Sequence, residues 1–186
     1  MGRDKLSMPL AGSSPLERIG RLLVGRAVIV VCTAQQLAEH ASQIPDATAI
    51  VNDSPQNGMT SSLRAALPHS ENSDRLGIVL ADKPLLSRAT LERLEARAAS
   101  SDRDIVYPQS RDGAPGHPVY LSRSAMKASA RLPDGDTLRA LREDPALSTL
   151  AIECDDPGAY FDIDTEADWL EAERLARSLA AGIDAS

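Results

Sequence analysis

The stretch that most constrains the fold is residues 76–86. Residues 76–80 form an apolar run with β-branched members, Asp82 follows it, and Pro84 comes two residues later. This pattern predicts a buried parallel strand that delivers Asp82 to its carboxyl end, with the proline turning the chain away. Ligands of open α/β sheets bind just outside the carboxyl ends of the strands, where a carboxylate is suited to Mg²⁺. The same pattern also fits an aspartate that only caps the turn or the next helix.

Strand and helix patterns alternate along the whole chain. The predicted strands lie at residues 26–32, 49–52, 76–80, 104–108, 117–121 and 149–154, the last of them on a sheet edge. The predicted helices lie at residues 15–25, 33–41, 60–67, 87–99, 122–130, 137–143 and 166–181. This alternation predicts an α/β fold with a mostly parallel sheet. The β-branched run at 28–31 further predicts that the first strand is buried on both faces.

Composition narrows the class of protein. The chain has 186 residues, a formal net charge of −7, and no repeat, linker or low-complexity segment, so a single domain over residues 1–186 is predicted. The acidic balance argues against nucleic acid or a membrane surface as a partner. Cys32 and Cys154 have no metal-ligand spacing and are interpreted as small core residues in a reducing compartment. No signal peptide or membrane span is visible, which predicts a cytoplasmic protein.

Polar residues follow several of the predicted strands. The Asn-, Gly- and Ser-rich stretch at 52–62 opens a helix and offers free backbone N–H groups to an anion, although a plain turn and cap would have the same composition. His117 follows a Gly-containing loop at the mouth of a strand, where a surface turn residue is the alternative. Asp162 and Asp164 could share a nucleotide-bound Mg²⁺ with Asp82 if all three lie at one sheet edge, with Lys5 as a phosphate clamp. Spacing alone leaves that convergence open.

Five motifs occur in a fixed order: Met1-Gly2-Arg3-Asp4-Lys5, Asn57-Gly58-Met59-Thr60-Ser61-Ser62-Leu63, Leu80-Ala81-Asp82-Lys83-Pro84, Gly116-His117-Pro118 and Asp162-Ile163-Asp164-Thr165-Glu166-Ala167-Asp168. The set resembles the molybdenum cofactor nucleotidyltransferases over residues 1 to about 175. Within that family it is most similar to the cytidylyltransferase branch, on the second and fourth motifs.

The resemblance implies a Rossmann-like three-layer nucleotidyltransferase domain. It implies transfer of a nucleoside monophosphate, from CTP or else from GTP, to the phosphate of molybdopterin. Pyrophosphate is released, and Mg²⁺ is the implied cofactor. A molybdoenzyme or its chaperone is the implied protein partner. The implied roles are catalysis for Lys5 and Asp82, and Mg²⁺ binding for Asp82, Asp162 and Asp164. Nucleotide binding is implied for Gly2, Lys5, Asn57, Gly58, Ser61 and Ser62, and substrate binding for Gly116, His117 and Asp136. Asp168 fits better as a helix cap.

Two departures from the family pattern matter. The family pattern begins with a strand and a Gly-rich loop before the lysine, and here both are missing, so either the start was assigned to an internal methionine or triphosphate binding is impaired. The loop at 133–139 keeps Gly135 and Asp136 but lacks a second glycine, which puts its contact with substrate in question. The alternatives are therefore a related transferase with another phosphorylated acceptor, and a non-catalytic nucleotide- or cofactor-binding partner of a molybdoenzyme.

Overall fold

The computed structural model describes residues 6, 8–40, 43, 44 and 46–183, with side chains to residue 178 in the last helix. Within this part of the chain the helices are α1 (Pro15–Leu22), α2 (Ala34–His40), α3 (Met59–Ala66), α4 (Arg88–Ser100), α5 (Arg123–Ser129), α6 (Leu138–Glu143) and α7 (Glu166–Ile183). The strands are β1 (Ile29–Cys32), β2 (Thr48–Val51), β3 (Arg75–Ile78), β4 (Ile105–Gln109), β5 (Val119–Ser122) and β6 (Thr149–Glu153). The predicted alternation of strands and helices is confirmed.

The described strands form two sheets. Strands β1 and β2 pair in parallel, with Ile29 opposite Thr48 and Cys32 opposite Val51. The larger sheet has the order β3-β5-β4-β6, in which β4 and β6 are parallel and β5 is antiparallel to both of its neighbours. Strands β3, β4 and β6 therefore point the same way, and β5 is the reversed strand. The predicted edge position of β6 is confirmed.

Alternating side chains of the larger sheet fill cores on its two faces, which gives the three layers. Ile105 and Leu121 are fully buried among side chains of α3, α5 and α6. Val106 and Tyr120, one residue away in each strand, pack among side chains of α1 and α4 on the other face. Each such buried aliphatic side chain contributes about 1.5–3 kcal/mol relative to an exposed one. A third cluster joins α7 through Trp169 to residues near Leu85.

Two strand predictions are wrong in part. Strand β1 is half-exposed along its whole length rather than buried on both faces, because among the described residues it pairs only with β2. Strand β3 ends at Ile78, pairs antiparallel with β5, and exposes Gly77, so it is not the buried parallel strand that its apolar sequence predicts. Val79 and Leu80 continue the chain outside the sheet.

The helix caps follow the sequence closely. Ser14 caps α1 in a capping box with Glu17, and Ser87 caps α4 through its hydroxyl. Asp168 accepts hydrogen bonds from the backbone N–H and the hydroxyl of Thr165 at 2.7 and 2.8 Å, which confirms its predicted capping role. Both cysteines are free; Cys154 is buried as predicted, but Cys32 is half-exposed.

Candidate active site

Asp82 lies in the turn that follows β3. The turn is closed by hydrogen bonds from the N–H of Lys83 to the carbonyl of Leu80 at 3.3 Å and from Leu86 to Lys83 at 3.4 Å. Leu85 and Leu86 anchor it in two hydrophobic clusters, while Asp82 reaches solvent and has protein around part of its carboxylate. The predicted order of strand, acid and turn is therefore present, although three residues separate Asp82 from the end of β3.

A second turn, Pro157–Ala159, packs directly on the Asp82 turn. A Cβ atom on Gly158 would lie 2.1 Å from the carbonyl oxygen of Leu85, so this contact requires glycine. The Asp156 carboxylate accepts a hydrogen bond from the N–H of Ser87 at 3.0 Å. These backbone contacts bring the segment that carries Asp162 next to the segment that carries Asp82.

Lys83 connects the two segments. Its ammonium lies 2.5 Å from Oδ1 of Asp162 and donates to the carbonyl oxygen of Tyr160 at 3.0 Å. Lys83 is only 5% exposed, and lysine is rarely buried this deeply unless it is paired. The sequence predicts no role for this residue, because its partner Asp162 comes from a distant part of the chain.

The three acids are close enough to interact. The pKa of Asp82 is raised, first because the surrounding protein desolvates its carboxylate, and then because Asp162 and Asp164 add negative charge; Lys83 acts in the opposite direction. The structure thus brings together the acids from the middle and the end of the chain, which spacing left open.

His117 borders the same site. Its ring Nδ1 lies 3.3 Å from the carbonyl oxygen of Ile78, and its pKa is lowered to about 4, chiefly by burial and also by the charge of Lys83. Its backbone N–H donates to Ala159 at 2.9 Å, and a Cβ atom on Gly116 would lie 2.6 Å from that same carbonyl oxygen. Gly116 and His117 are therefore packed against the turn that precedes Asp162. The predicted strand at 117–121 begins two residues later, at Val119.

The predicted nucleotide loop forms a separate, well-connected group. The buried Asn52 donates from its side-chain amide to the hydroxyls of Ser61 and Ser62 at 2.9 and 3.1 Å. Gly58 has a φ of 73° and precedes the first residue of α3, where it offers no side chain to cap the helix. The start of α3 is consequently held by Asn52, and its first N–H groups are suited to an anion or a carbonyl oxygen.

A pocket of about 330 Å³ opens beside this loop, lined in part by Asn52, Asp53, Ser54, Asn57, Ser61 and Arg64. Asp134 closes it from the loop at 133–136. One carboxylate oxygen of Asp134 accepts from the Asn57 amide at 2.6 Å, and the other pairs with Arg64. Arg64 and Asp134 are residues of this pocket that the sequence does not single out, because the two come from distant parts of the chain. Asn52 lies in the stretch at 52–62, but the sequence assigns it no binding role.

The resemblance implies that Asp136 binds substrate together with Gly116 and His117. The structure packs its loop against the pocket, since the N–H of Gly135 donates to the carbonyl oxygen of Asn57 at 3.1 Å. Gly2 and Lys5 lie outside the described residues, and their roles stay predictions.

Among the described residues, no group of three or more His, Cys, Asp or Glu side chains is arranged to hold a metal ion by itself. A cation at Asp82 and Asp162 would need further ligands from a bound molecule, which is how Mg²⁺ is commonly held with substrate phosphates. None of the helices in the described part of the chain is long and apolar enough to cross a membrane.

Comparison with known proteins gives one family match. The family described as the MobA-like NTP transferase domain matches residues 1–150. No curated protein matches the chain by sequence.

Three solved structures share the fold. Molybdopterin-guanine dinucleotide biosynthesis protein A from Archaeoglobus fulgidus superposes with a TM-score of 0.75 at 21% identity, over 95% of this chain and 92% of that one. Rv0371c from Mycobacterium tuberculosis has a TM-score of 0.73 at 22% identity, over 94% and 91%, and is also known as a complex with manganese. A 4-diphosphocytidyl-2C-methyl-D-erythritol synthase has a TM-score of 0.73 at 13% identity, over 92% and 94%. At these identities the likeness shows a Rossmann-like nucleotidyltransferase fold.

Proposed function

Because the chain belongs to the MobA-like NTP transferase family, we propose that it transfers CMP from CTP to the phosphate of molybdopterin and releases pyrophosphate. The observation that carries this proposal is the convergence of Asp82 and Asp162 on the buried Lys83, at turns that follow sheet strands. An open α/β fold binds its ligands at such strand ends.

Mg²⁺ fits the chemistry of the site. Asp82 and Asp162 would hold it, with Asp164 adding negative charge and triphosphate oxygens completing the coordination. The pKa of Asp82 is raised first by desolvation of its carboxylate and then by the negative charge of Asp162, which outweighs the opposite effect of Lys83. A desolvated carboxylate beside a second acid is a site that a cation would stabilise. When bound, the ion would neutralise charge on the triphosphate.

The pocket beside α3 is the proposed site for the base and ribose. Asn57, Gly58, Ser61 and Ser62 line or border it, and they offer a side-chain amide and hydroxyl groups for polar recognition. Such groups can discriminate one base from another because an unmatched buried polar group is costly. The preference for CTP over GTP rests on the resemblance of residues 57–63 to the cytidylyltransferase branch.

Gly116 and His117 are proposed to face the pterin acceptor. A carbonyl oxygen only accepts hydrogen bonds, so the Nδ1 of His117 that faces Ile78 carries the ring proton. With a pKa of about 4 the ring is neutral near pH 7, which leaves Nε2 as an acceptor for a donor group of the substrate. Asp136, two residues from the pocket-lining Asp134, would act closer to the nucleotide than to the pterin.

In-line transfer needs no covalent enzyme intermediate. The acceptor phosphate would attack the α-phosphate of the nucleotide, and the protein would contribute positioning and charge neutralisation. Lys5, by the resemblance, would bind the triphosphate. The second candidate function is nucleotidyl transfer to another phosphorylated acceptor. It is supported by the fold that the chain shares with 4-diphosphocytidyl-2C-methyl-D-erythritol synthase.

The test is pyrophosphate release with Mg²⁺ and either CTP or GTP, measured with molybdopterin and with a panel of sugar phosphates as acceptors. We expect turnover with CTP and molybdopterin, and its loss in Asp82→Ala. Asp102→Ala, whose parent side chain is 98% exposed, is the matched control and should keep full activity. Full activity in Asp82→Ala would refute the metal assignment, and turnover only with a sugar phosphate would replace the acceptor.

A further inference from the structure

Lys83 places a fixed positive charge inside the acidic site. Its ammonium is held by Asp162 at 2.5 Å and by the Tyr160 carbonyl oxygen at 3.0 Å, and the residue is 5% exposed. Buried between two packed turns, this ammonium cannot move away into solvent as a surface lysine would.

A divalent cation at the two acids would lie close to this ammonium. Lys83 contacts Oδ1 of Asp162, so an ion that binds Asp162 meets a like charge across a single carboxylate. Repulsion between like charges at such distances is strong where protein partly excludes water. Lys83 therefore opposes the same ion that the acids attract.

We propose that Lys83 is a resident counter-cation that weakens binding of a free divalent cation at Asp82 and Asp162, so that the ion binds effectively only together with a triphosphate. This inference rests on the proposed function. The triphosphate brings several negative charges, which offset the repulsion between the ion and the ammonium. Binding of metal and nucleotide thus becomes cooperative, each raising the affinity for the other by the same factor.

A purely structural role for Lys83 predicts the opposite sign. If the ammonium only braced Asp162 against the Tyr160 turn, its removal would free the carboxylate and weaken metal binding. The sign of the change in metal affinity therefore separates the two roles. Asp162 is 47% exposed on its side chain, so it remains able to face an ion when Lys83 is removed.

The experiment measures Mn²⁺ binding by electron paramagnetic resonance, with and without CTP, for the full chain and for Lys83→Met. We expect Lys83→Met to bind Mn²⁺ alone roughly tenfold more tightly or better. CTP should then raise the affinity for Mn²⁺ less in the variant than in the wild type. The control Lys127→Met removes a lysine exposed on α5 and should change neither value.

Unchanged or weaker Mn²⁺ binding by Lys83→Met, without CTP, overturns the inference. If Lys83→Met does not fold, Mn²⁺ binding is measured on Lys83→Gln instead, because the glutamine amide can still donate to the Tyr160 carbonyl oxygen. A wild type that binds no Mn²⁺ even with CTP refutes the proposed function instead. That result also refutes the cooperative part of the inference, and tighter binding of Mn²⁺ alone by the variant would then support only the repulsion between Lys83 and the ion.

Discussion

The environment of His117 sets what that residue can do. Burial lowers its pKa to about 4, and its contact with the Ile78 carbonyl oxygen fixes which ring nitrogen carries the proton. The neighbouring Lys83 lowers the pKa further. Near pH 7 the residue is thus a neutral imidazole of defined tautomer, suited to hydrogen bonding rather than to charge pairing.

This low pKa predicts a pH dependence of stability. The ordinary histidine value is 6.5, so between pH 6.5 and about 4 the unfolded chain binds a proton that the folded chain does not. Stability should therefore fall as the pH falls through this range, by about 3 kcal/mol at pH 4 from this residue alone. When the free energy of unfolding is measured with urea at several pH values, it should depend less steeply on pH in His117→Gln than in the wild type. His69 is exposed, so His69→Gln should keep the pH dependence of the wild type. An equal pH dependence in the wild type and both variants would contradict the lowered pKa of His117.

At the scale of elements, the site depends on two turns that belong to no sheet. The turn Pro157–Ala159 fits against Leu85 only because Gly158 lacks a side chain. That contact, together with the ion pair between Lys83 and Asp162, sets where Asp162 lies relative to Asp82. The acidic site is thus built by packing of backbone on backbone.

Gly158→Ala should separate these turns. The added methyl group would force the backbone at Leu85 to move and should lower the free energy of unfolding by roughly 1–3 kcal/mol. It should also reduce transferase activity, since Asp162 would shift away from Asp82. Pro157→Ala, exposed in the same turn, is the control and should show neither loss in urea unfolding or pyrophosphate release. A fully active and fully stable Gly158→Ala would contradict the packing described here.

The loop at 133–136 is the second element that completes a site. Asp134 joins it to Asn57 and Arg64 across the pocket beside α3. Asp134→Ala should raise the KM for the nucleotide roughly three- to tenfold with a smaller change in kcat, because binding to both ground state and transition state is lost. Stability should change by less than about 1 kcal/mol, since this pair is largely exposed.

Steady-state kinetics with CTP checks this expectation. Glu143→Ala removes another exposed acid, which pairs with Arg139 on α6, and should leave the KM unchanged. A fall in kcat alone for Asp134→Ala would place the loop at the acceptor rather than at the nucleotide.

At the scale of the whole molecule, local patterns predicted the elements and missed their long-range pairings. Caps at Ser14 and Ser87 and the turn after β3 depend on residues a few positions apart, so the sequence alone identifies them. The reversed direction of β5 depends on which strands come to lie beside it, and no local pattern encodes that. The half-exposed β1 shows the same limit, because its β-branched run describes propensity and not its partners.

The candidate site divides in the same way. Asp82, Asp162 and His117 stood out because polar residues at strand ends carry chemistry in α/β folds, and the structure brings them together. Lys83 and Asp134 did not stand out, since each gains its meaning from a partner more than 60 positions away along the chain, such as Asp162 or Arg64. Burial of a charged residue is a property of the fold that composition does not reveal.

The most direct test of the central claim is a calorimetric titration of CTP into the protein with and without Mg²⁺. We expect binding that requires Mg²⁺, and a loss of affinity of roughly tenfold or more in Asp82→Asn and in Asp162→Asn, because one unit charge at close range is worth on the order of 1–4 kcal/mol. Asp102→Asn should bind as the wild type does. Binding that is indifferent to Mg²⁺ and to both acids, or no binding at all, would contradict the assignment of these turns as the metal–nucleotide site.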